Sequence, residues 1–347
     1  MDPSVYLPAY LERAYLASHP ELTDAARELV HNDVSVNPHK YAQTEHAQAL
    51  LSYAGVHRHL LDELHRIEDM GSDEEFEQTR NRLFDDMRDE LLKIVRIDAH
   101  VLDAQLLAII LADTPVDACL GDLMKLEATT ADYLQQSVPG FDMEAPHYWA
   151  NNVLADGVTA ADLTVSEPAL IGWLHTLEAI SQLCMASARY RAAANYAHRV
   201  LKAEGYPTRA AGTVLLALAR LEDEDGFFAL AHQLEEEIGA DALENSPWYL
   251  LARTILLFKT NKIRPATRAL REFANRCEGG AFFLLNPMYQ TPYLPCRPEP
   301  HDPWDLSHQA VWEADGIISD TPDFAPWANA CEDVSQLAQE FARRYGF

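Results

Sequence analysis

The segment SARYRAAANYAHRVL (187–201) decides how the rest of the sequence is interpreted. It begins with a polar turn, continues with the bulky Tyr190, places the small Ala193 three residues later and then forms an apolar ridge. The same plan recurs in EDGFFALAHQLEEEI (224–238) and TNKIRPATRALREFA (260–274). A plan that recurs with helical spacing of its apolar residues indicates a helical repeat.

The bulky residues of the three segments recur at intervals of about 36 residues. Each turn also follows a helical pattern, such as LIGWLHTLEAISQLCMASA (170–188), and an upstream copy with Pro115 and Ala118 lies in ADTPVDACLGDLMKL (112–126). A helical hairpin with this period cannot bury its apolar face alone and has to stack on its neighbours. Because the small residue lets the two helices of a hairpin approach closely, the pattern predicts an all-α protein of stacked helix pairs.

These segments resemble tetratricopeptide (TPR) repeats. Leu177, Tyr190, Ala193 and Pro207 stand where that motif prefers a large apolar residue, an aromatic, a small residue and a proline, whereas Ser181 and Cys184 depart from it. The resemblance implies a TPR-like, right-handed superhelical α-solenoid of antiparallel helix pairs. It also implies that the first helix of each pair lines a concave, peptide-binding surface.

From about residue 98 onward the chain is also similar to bacterial repeat proteins related to the suppressor of tumorigenicity seven family. The resemblance rests on NPMYQTPYL (286–294), which follows the divergent repeats, and on EADGIISDTPDFAPW (313–327). That family supplies no catalytic residues to carry over, so the resemblance concerns the fold.

Three regions are expected in one continuous structural unit: an N-terminal helical cap (1–97), degenerate repeats (98–281) and a strap with a helical C-terminal cap (282–347). Apolar spacing and helix-stop signals place the helices as follows. Helices are predicted at about 4–17, 22–31, 39–69, 73–95, 98–112, 115–136, 167–187, 190–204, 208–222, 226–238, 246–259, 263–276, 305–319 and 328–344.

Composition limits the function classes. The formal charge of −27 argues against nucleic-acid and anionic-membrane partners, because like charges repel. The longest strongly apolar run, AQLLAIILA (104–112), is shorter than the ~20 residues that cross a bilayer, and the five cysteines have no C-x-x-C spacing. With no visible signal peptide, a cytoplasmic protein is expected; Arg outnumbering Lys by 21 to 6 suggests a bacterial, GC-rich genome.

Charge is unevenly distributed along the repeats. Residues 222–244 hold nine acids and no Lys or Arg, while residues 253–276 hold seven bases and one acid. Arg264, Arg268 and Arg271 share one helical face. Two interpretations stay open: a docking stripe for an acidic partner, or intramolecular pairing between neighbouring helices of opposite sign.

The sequence predicts no catalytic residue, no metal site and no cofactor. His57, His59 and His65 are the most suggestive cluster, but their spacings of two, six and eight residues do not suit ligands on one helical face. The sequence contains no H-E-x-x-H, Walker or G-x-S-x-G motif. Cys184 and Cys277 lie in apolar helical patterns that are typical of core cysteines.

We therefore expect a non-enzymatic scaffold or adaptor that binds a protein or an extended peptide. The groove candidates are the residues of 170–188 expected to point outward. They are His175, Glu178, Gln182 and Met185. The alternative is an enzyme or small-molecule sensor whose pocket is formed by the insertion 139–168 against the repeats, since long loops are often functional.

The stretch FFLLNPMYQTPYLPCRPEPHDPWD (282–305) includes PYLPCR (292–297), which has the form of a polyproline ligand. Its aromatic residues and the helical pattern that follows favour a different interpretation. We expect an extended strap that lays Tyr289, Tyr293 and Trp304 on the repeats, and the sequence leaves open whether residues 286–303 cover the concave groove.

Overall fold

The computed structural model describes residues 2–67, 71–149, 154, 157–290 and 300–347, and within these ranges the chain forms nineteen α-helices and no β-strand. The all-α prediction is confirmed. The helices are α1 (Pro3–Ser18), α2 (Asp24–Val34), α3 (Pro38–Tyr41), α4 (Glu45–Ile67), α5 (Asp73–Ile97), α6 (Leu102–Ile110), α7 (Val116–Ser137), α8 (Ala160–Ser166), α9 (Pro168–Ala186), α10 (Tyr190–Leu201), α11 (Ala210–Leu221), α12 (Glu224–Ile238), α13 (Ala240–Glu244), α14 (Pro247–Lys259), α15 (Ile263–Arg276), α16 (Gly280–Leu285), α17 (Asp305–Ser319), α18 (Phe324–Asn329) and α19 (Glu332–Tyr345).

The long helices begin and end within a few residues of the predicted positions. Four short helices were not predicted, namely α8, α13, α16 and α18. The predicted helix 39–69 is divided into α3 and α4. Each of the four unpredicted helices, α8, α13, α16 and α18, spans seven residues or fewer, which is too short for a 3.6-residue apolar period to stand out.

Three helical hairpins, α9–α10, α11–α12 and α14–α15, turn in the same way. Ala188, Glu222 and Asn261 each adopt the left-handed conformation, with φ of 58°, 60° and 59°. In each turn the next amide donates to the carbonyl five residues earlier, for instance Lys262 N to Leu257 O at 2.8 Å, and the left-handed residue donates to the carbonyl three residues earlier. This is the Schellman motif, which satisfies the last carbonyls of a helix, here built three times without glycine.

The chain divides into two compact units. The first unit holds the residues up to Leu177 together with Lys202–Pro207, and the second holds Glu178–Leu201 together with Thr208–Phe347. The predicted regions 1–97, 98–281 and 282–347 stay an interpretation of the sequence.

In the first unit, α4, α5, α6 and α7 pack in succession, and α1 packs on α2, α3, α4 and α8. Its core includes Leu11, Leu91, Leu123 and Leu134, none of which exposes any surface. At side chains of this size, full burial contributes about 1.5–3 kcal/mol each.

In the second unit, α11 packs between α10 and α14, and α14 packs on α15. The small residue predicted early in each second helix is buried, as Ala193 and Ala266 show. Helix α17 contacts α11, α14 and α16, while α19 packs on α15 and α16. Within the described ranges, no helix combines the length and the apolar character needed to cross a membrane.

Candidate functional site

A pocket opens in the second unit where α16, the turn after it, α17 and α18 meet. The Gly279 backbone, with φ of 74°, lets the chain reverse direction into α16. Helix α16 ends at Leu285 and is followed by Asn286, whose side-chain amide donates to Phe282 O at 2.8 Å; Pro287 then starts a short 3-10 turn, Pro287–Tyr289. Both features suit a sharp end to a helix, since a residue before proline disfavours the helical conformation.

The pocket is an open depression with a volume of about 240 Å³. Its apolar wall consists of Leu284, Leu285, Pro287, Ile318, Pro322 and Ala325. Three polar residues, Gln290, Asp315 and Ser319, complete the lining. Drug-sized ligands occupy pockets of about 300–1,000 Å³, so this volume suits a smaller group.

Among the described residues that line the pocket, Asp315 alone has an ionisable side chain. Its side chain is half-buried, and burial raises the pKa of the carboxyl above its ordinary value. It forms no hydrogen bond or ion pair with the described residues, unlike Asp320 one turn later, which pairs with Arg220. A half-buried carboxylate without a partner among the described residues is free to accept hydrogen bonds from a ligand, which makes Asp315 a candidate binding group.

Exposed apolar surface continues from the rim of the pocket. Met288, next to the lining residue Pro287, exposes 83% of its surface, and Tyr289 is also exposed. The rings of Phe282 and Phe347 lie 5.2 and 5.7 Å from Tyr289 and hold it in place. Exposed apolar groups beside a pocket are typical of a surface that binds another molecule.

An aromatic cluster forms the floor beneath this surface. Trp304 packs on Phe283 at 5.3 Å, and Phe341 lies 5.6 Å from Phe283. Of the strap residues predicted to pack on the repeats, Tyr289 and Trp304 therefore contact aromatic side chains of α16, α19 and the chain end. Tyr293, the third, lies outside the described residues.

The predicted groove residues of α9 do not form one outward face. His175 and Met185 are buried, with 8% and 3% of their surface exposed, which contradicts the prediction that they point outward. The reason is that α9 is buried almost all round, including Trp173 and Leu174, so it has no broad exposed stripe. Glu178 and Gln182 are half-buried.

Glu178 and Gln182 line a second, much smaller cavity with parts of α10 and α11. Its volume is about 10 Å³, close to the space that one water molecule needs. The other lining residues are Ser181, Ala197, Ala210 and Thr213. Glu178 already accepts a hydrogen bond from Thr208 at 2.6 Å. This cavity is too small for a peptide side chain.

Sequence reasoning missed a buried polar cluster that fixes α17 to the hairpins. Glu313 accepts hydrogen bonds from the Thr213 hydroxyl and from the Trp248 indole, the latter at 2.8 Å. One turn earlier, Gln309 accepts from Arg209, whose guanidinium lies over the Trp248 ring. Because α17 also contributes Asp315 to the pocket, this cluster sets the position of the pocket carboxylate.

Several bases of the basic run 253–276 pair with residues of the acidic run 222–244. Lys259 lies 3.1 Å from Glu222, Lys262 pairs with Glu224, and Arg276 lies 2.9 Å from Glu244. These contacts pair the basic run with the acidic run, as the intramolecular interpretation expects.

The three arginines of the predicted stripe are exposed, but only one is paired. Arg271 pairs with Asp333 at 2.6 Å, whereas Arg264 and Arg268 form no ion pair with the described residues. Their role as a docking stripe stays a prediction.

The three histidines of α4 are separated. His57 is buried, whereas His59 and His65 are exposed. His57 lies 3.8 Å from Asp2, and burial lowers its pKa. In the described part of the chain, no group of three metal-ligating side chains comes together.

At the described start of the insertion 139–168, the side chains of the insertion pack into the core. Tyr148 and Trp149 are buried, and the Tyr148 ring lies 5.2 Å from that of Trp173. The Lys202 ammonium donates to the Met143 carbonyl and lies over the Tyr148 ring. Further along, residues 160–166 form α8, whose capping box joins Thr159 and Asp162.

Comparison with known proteins adds no further assignment: no family model, curated protein or solved structure matches the chain.

Proposed function

We propose that this chain is a non-enzymatic scaffold that binds a protein or peptide and is built on TPR-like helical hairpins stacked as a right-handed α-solenoid. The Schellman turns at Ala188, Glu222 and Asn261 give the three hairpins the same local turn, which is consistent with one repeated unit. Proteins that stack such hairpins commonly present binding surfaces along the stack.

The observation that carries the proposal is the pocket beside Asp315 together with the exposed Met288 and Tyr289 at its rim. A pocket of about 240 Å³ next to exposed apolar groups matches a binding surface that takes one anchoring side chain and packs neighbouring residues outside. An extended peptide offers both parts. In this proposal α17 belongs to the binding surface, because it supplies Asp315 and Ile318 to the lining.

Comparative capture tests the proposal. The wild-type chain and the variant Ala325→Trp, whose indole fills the pocket, are used as baits in a lysate of the source cell. Captured proteins are quantified by mass spectrometry, and one captured protein is then purified and titrated against both baits. We expect its binding to fall at least tenfold with Ala325→Trp.

The matched control is Ala330→Trp, since Ala330 is exposed at the end of α18 and does not line the pocket. It should bind like the wild type. Identical protein sets on the wild type and on a folded Ala325→Trp would contradict a scaffold function that uses this pocket.

A further inference from the structure

We infer that the α16–α18 pocket recognises the side chain of an arginine in the bound polypeptide, with Asp315 as its counter-ion. This inference rests on the proposed function and specifies what the site selects.

The lining of the pocket carries negative charge. The described lining offers one ionisable side chain, the carboxylate of Asp315, and places no Lys or Arg beside it. A ligand that covers this carboxylate removes it from water, and a cationic donor compensates that cost better than a neutral one, because charge-assisted hydrogen bonds are the stronger ones. The net charge of −27 also attracts cationic segments from a distance.

The size and shape of the pocket suit one long side chain. The volume of about 240 Å³ lies below the range for drug-sized molecules and is appropriate for one long side chain. Leu284, Ile318 and Pro322 form apolar walls, against which the methylene stem of a basic residue can pack while its charged end reaches the carboxylate.

The polar lining favours arginine over lysine. Gln290 and Ser319 add acceptor oxygens to those of Asp315, and a planar guanidinium carries five N–H donors that can serve several acceptors at once. An ammonium is a compact and strongly hydrated charge, so it loses more hydration in a pocket with apolar walls.

The rim favours an arginine within a chain over the free amino acid. Met288 exposes most of its surface beside Pro287, and Tyr289 is held at the rim by Phe282 and Phe347. Residues on either side of the arginine can cover this apolar surface, whereas a free amino acid would leave it in water.

The test uses a phage-displayed library of random twelve-residue peptides, selected against the full chain and depleted on Ala325→Trp. The selected peptides are expected to share an arginine flanked by apolar residues. Replacing that arginine by citrulline, which keeps the shape and removes the charge, should weaken binding at least tenfold in fluorescence anisotropy.

A double-mutant cycle then identifies the counter-ion. Asp315→Asn should weaken the arginine peptide at least tenfold and should leave the affinity of the citrulline peptide nearly unchanged. The matched control is Asp323→Asn, an exposed acid near Pro322 that does not line the pocket, and it should have little effect.

The outcomes separate this inference from the proposed function. Pocket-dependent peptides that lack arginine, that bind Asp315→Asn as well as the wild type, or that accept lysine equally would overturn the arginine assignment while leaving a peptide-binding scaffold intact. If the library yields no peptide that depends on the pocket, the arginine inference fails, and the capture comparison with Ala325→Trp decides the fate of the scaffold proposal.

Discussion

Nδ1 of His175 lies 2.7 Å from Oδ1 of Asp103, and both side chains are buried in the first unit. The Tyr6 hydroxyl donates to the other carboxylate oxygen at 2.8 Å. Burial alone would raise the pKa of Asp103, but the charge of His175 and the hydrogen bonds from His175 and Tyr6 outweigh it and lower the pKa. The pair joins α6 to α9, and the attraction between the two side chains stabilises the core of the first unit.

Asp103→Asn should therefore destabilise the first unit by about 3 kcal/mol, because it leaves His175 without its buried counter-ion. A carboxyl with a lowered pKa stabilises the fold above the ordinary pKa of about 4 and loses that contribution as pH falls. The free-energy gap between wild type and variant, measured by urea unfolding, should thus narrow below about pH 4. Tyr6→Phe removes one hydrogen bond and should cost only about 1 kcal/mol. A gap that stays constant on acidification would contradict an ionised Asp103.

Gly212 in α11 supports the close approach of α14. A Cβ added at Gly212 would overlap the indole of Trp248, which is itself held by Glu313. Gly212→Ala should lower the free energy of unfolding by about 1–3 kcal/mol through overpacking. Gly55→Ala in α4 is the matched control: nothing lies within 4 Å of its added Cβ, so it should stabilise by about 0.5–1 kcal/mol. Equal effects of both substitutions in thermal melts would show that α11 and α14 tolerate a wider spacing.

Periodicity was sufficient to predict the long helices but not the pocket. Helices α12 and α15 place their apolar residues on one face, which a sequence shows directly. Asp315 resembles any of the 54 acids, because its setting depends on α16 and α18, two six-residue helices that periodicity does not reveal.

The sequence around His175 contains a signal for its burial. LIGWLHTLEAI (170–180) is apolar around most of the helix, and a helix that is apolar all round is buried. Helix α9 is therefore not amphipathic, and it lacks the outward face that was predicted for His175 and Met185. The Asp103–His175 pair itself was not predictable, because its partners are 72 residues apart in sequence.

Reversing the charge of a paired base should destabilise the fold more than reversing the charge of an unpaired base. Lys259→Glu places a like charge near Glu222 and should lower the melting temperature, since its side chain is only 12% exposed and screening by water is limited. Arg268→Glu should change it little, because Arg268 has no ion-pair partner among the described residues. Salt should reduce the effect of Lys259→Glu only in part, because Glu222 is half-exposed but Lys259 is largely buried, and partly buried pairs are screened less than exposed ones. Equal effects of the two reversals would contradict the pairing.

Asp315 should cost stability in the absence of a ligand. Burial raises its pKa, so ionising the carboxyl costs more free energy in the folded protein than in the unfolded chain, and stability falls as pH rises from the ordinary pKa through the folded pKa. Asp315→Asn should therefore raise the melting temperature at neutral pH. The difference should vanish below about pH 4, where the carboxyl is protonated in both the folded and the unfolded chain. Asp323→Asn is the control for removal of one negative charge. A variant that is less stable than the wild type at neutral pH would show that Asp315 has a structural role.

The more deeply a cysteine is buried, the more slowly its thiol should be alkylated. Burial raises the pKa of the Cys277 thiol to about 12, so about one molecule in ten thousand carries the reactive thiolate at pH 8. Burial also raises the pKa of Cys331, but that residue is only half-buried, and its thiol donates a weak hydrogen bond to Trp327 O. Iodoacetamide should thus modify Cys331 in the folded chain well before Cys277, as read by peptide mass spectrometry after timed quenching. Urea should make both thiols react at similar rates, which controls for local sequence effects. If Cys277 is modified as fast as Cys331 without denaturant, the junction of α15 and α16 opens in the folded protein, and the pocket wall that α16 provides is not rigid.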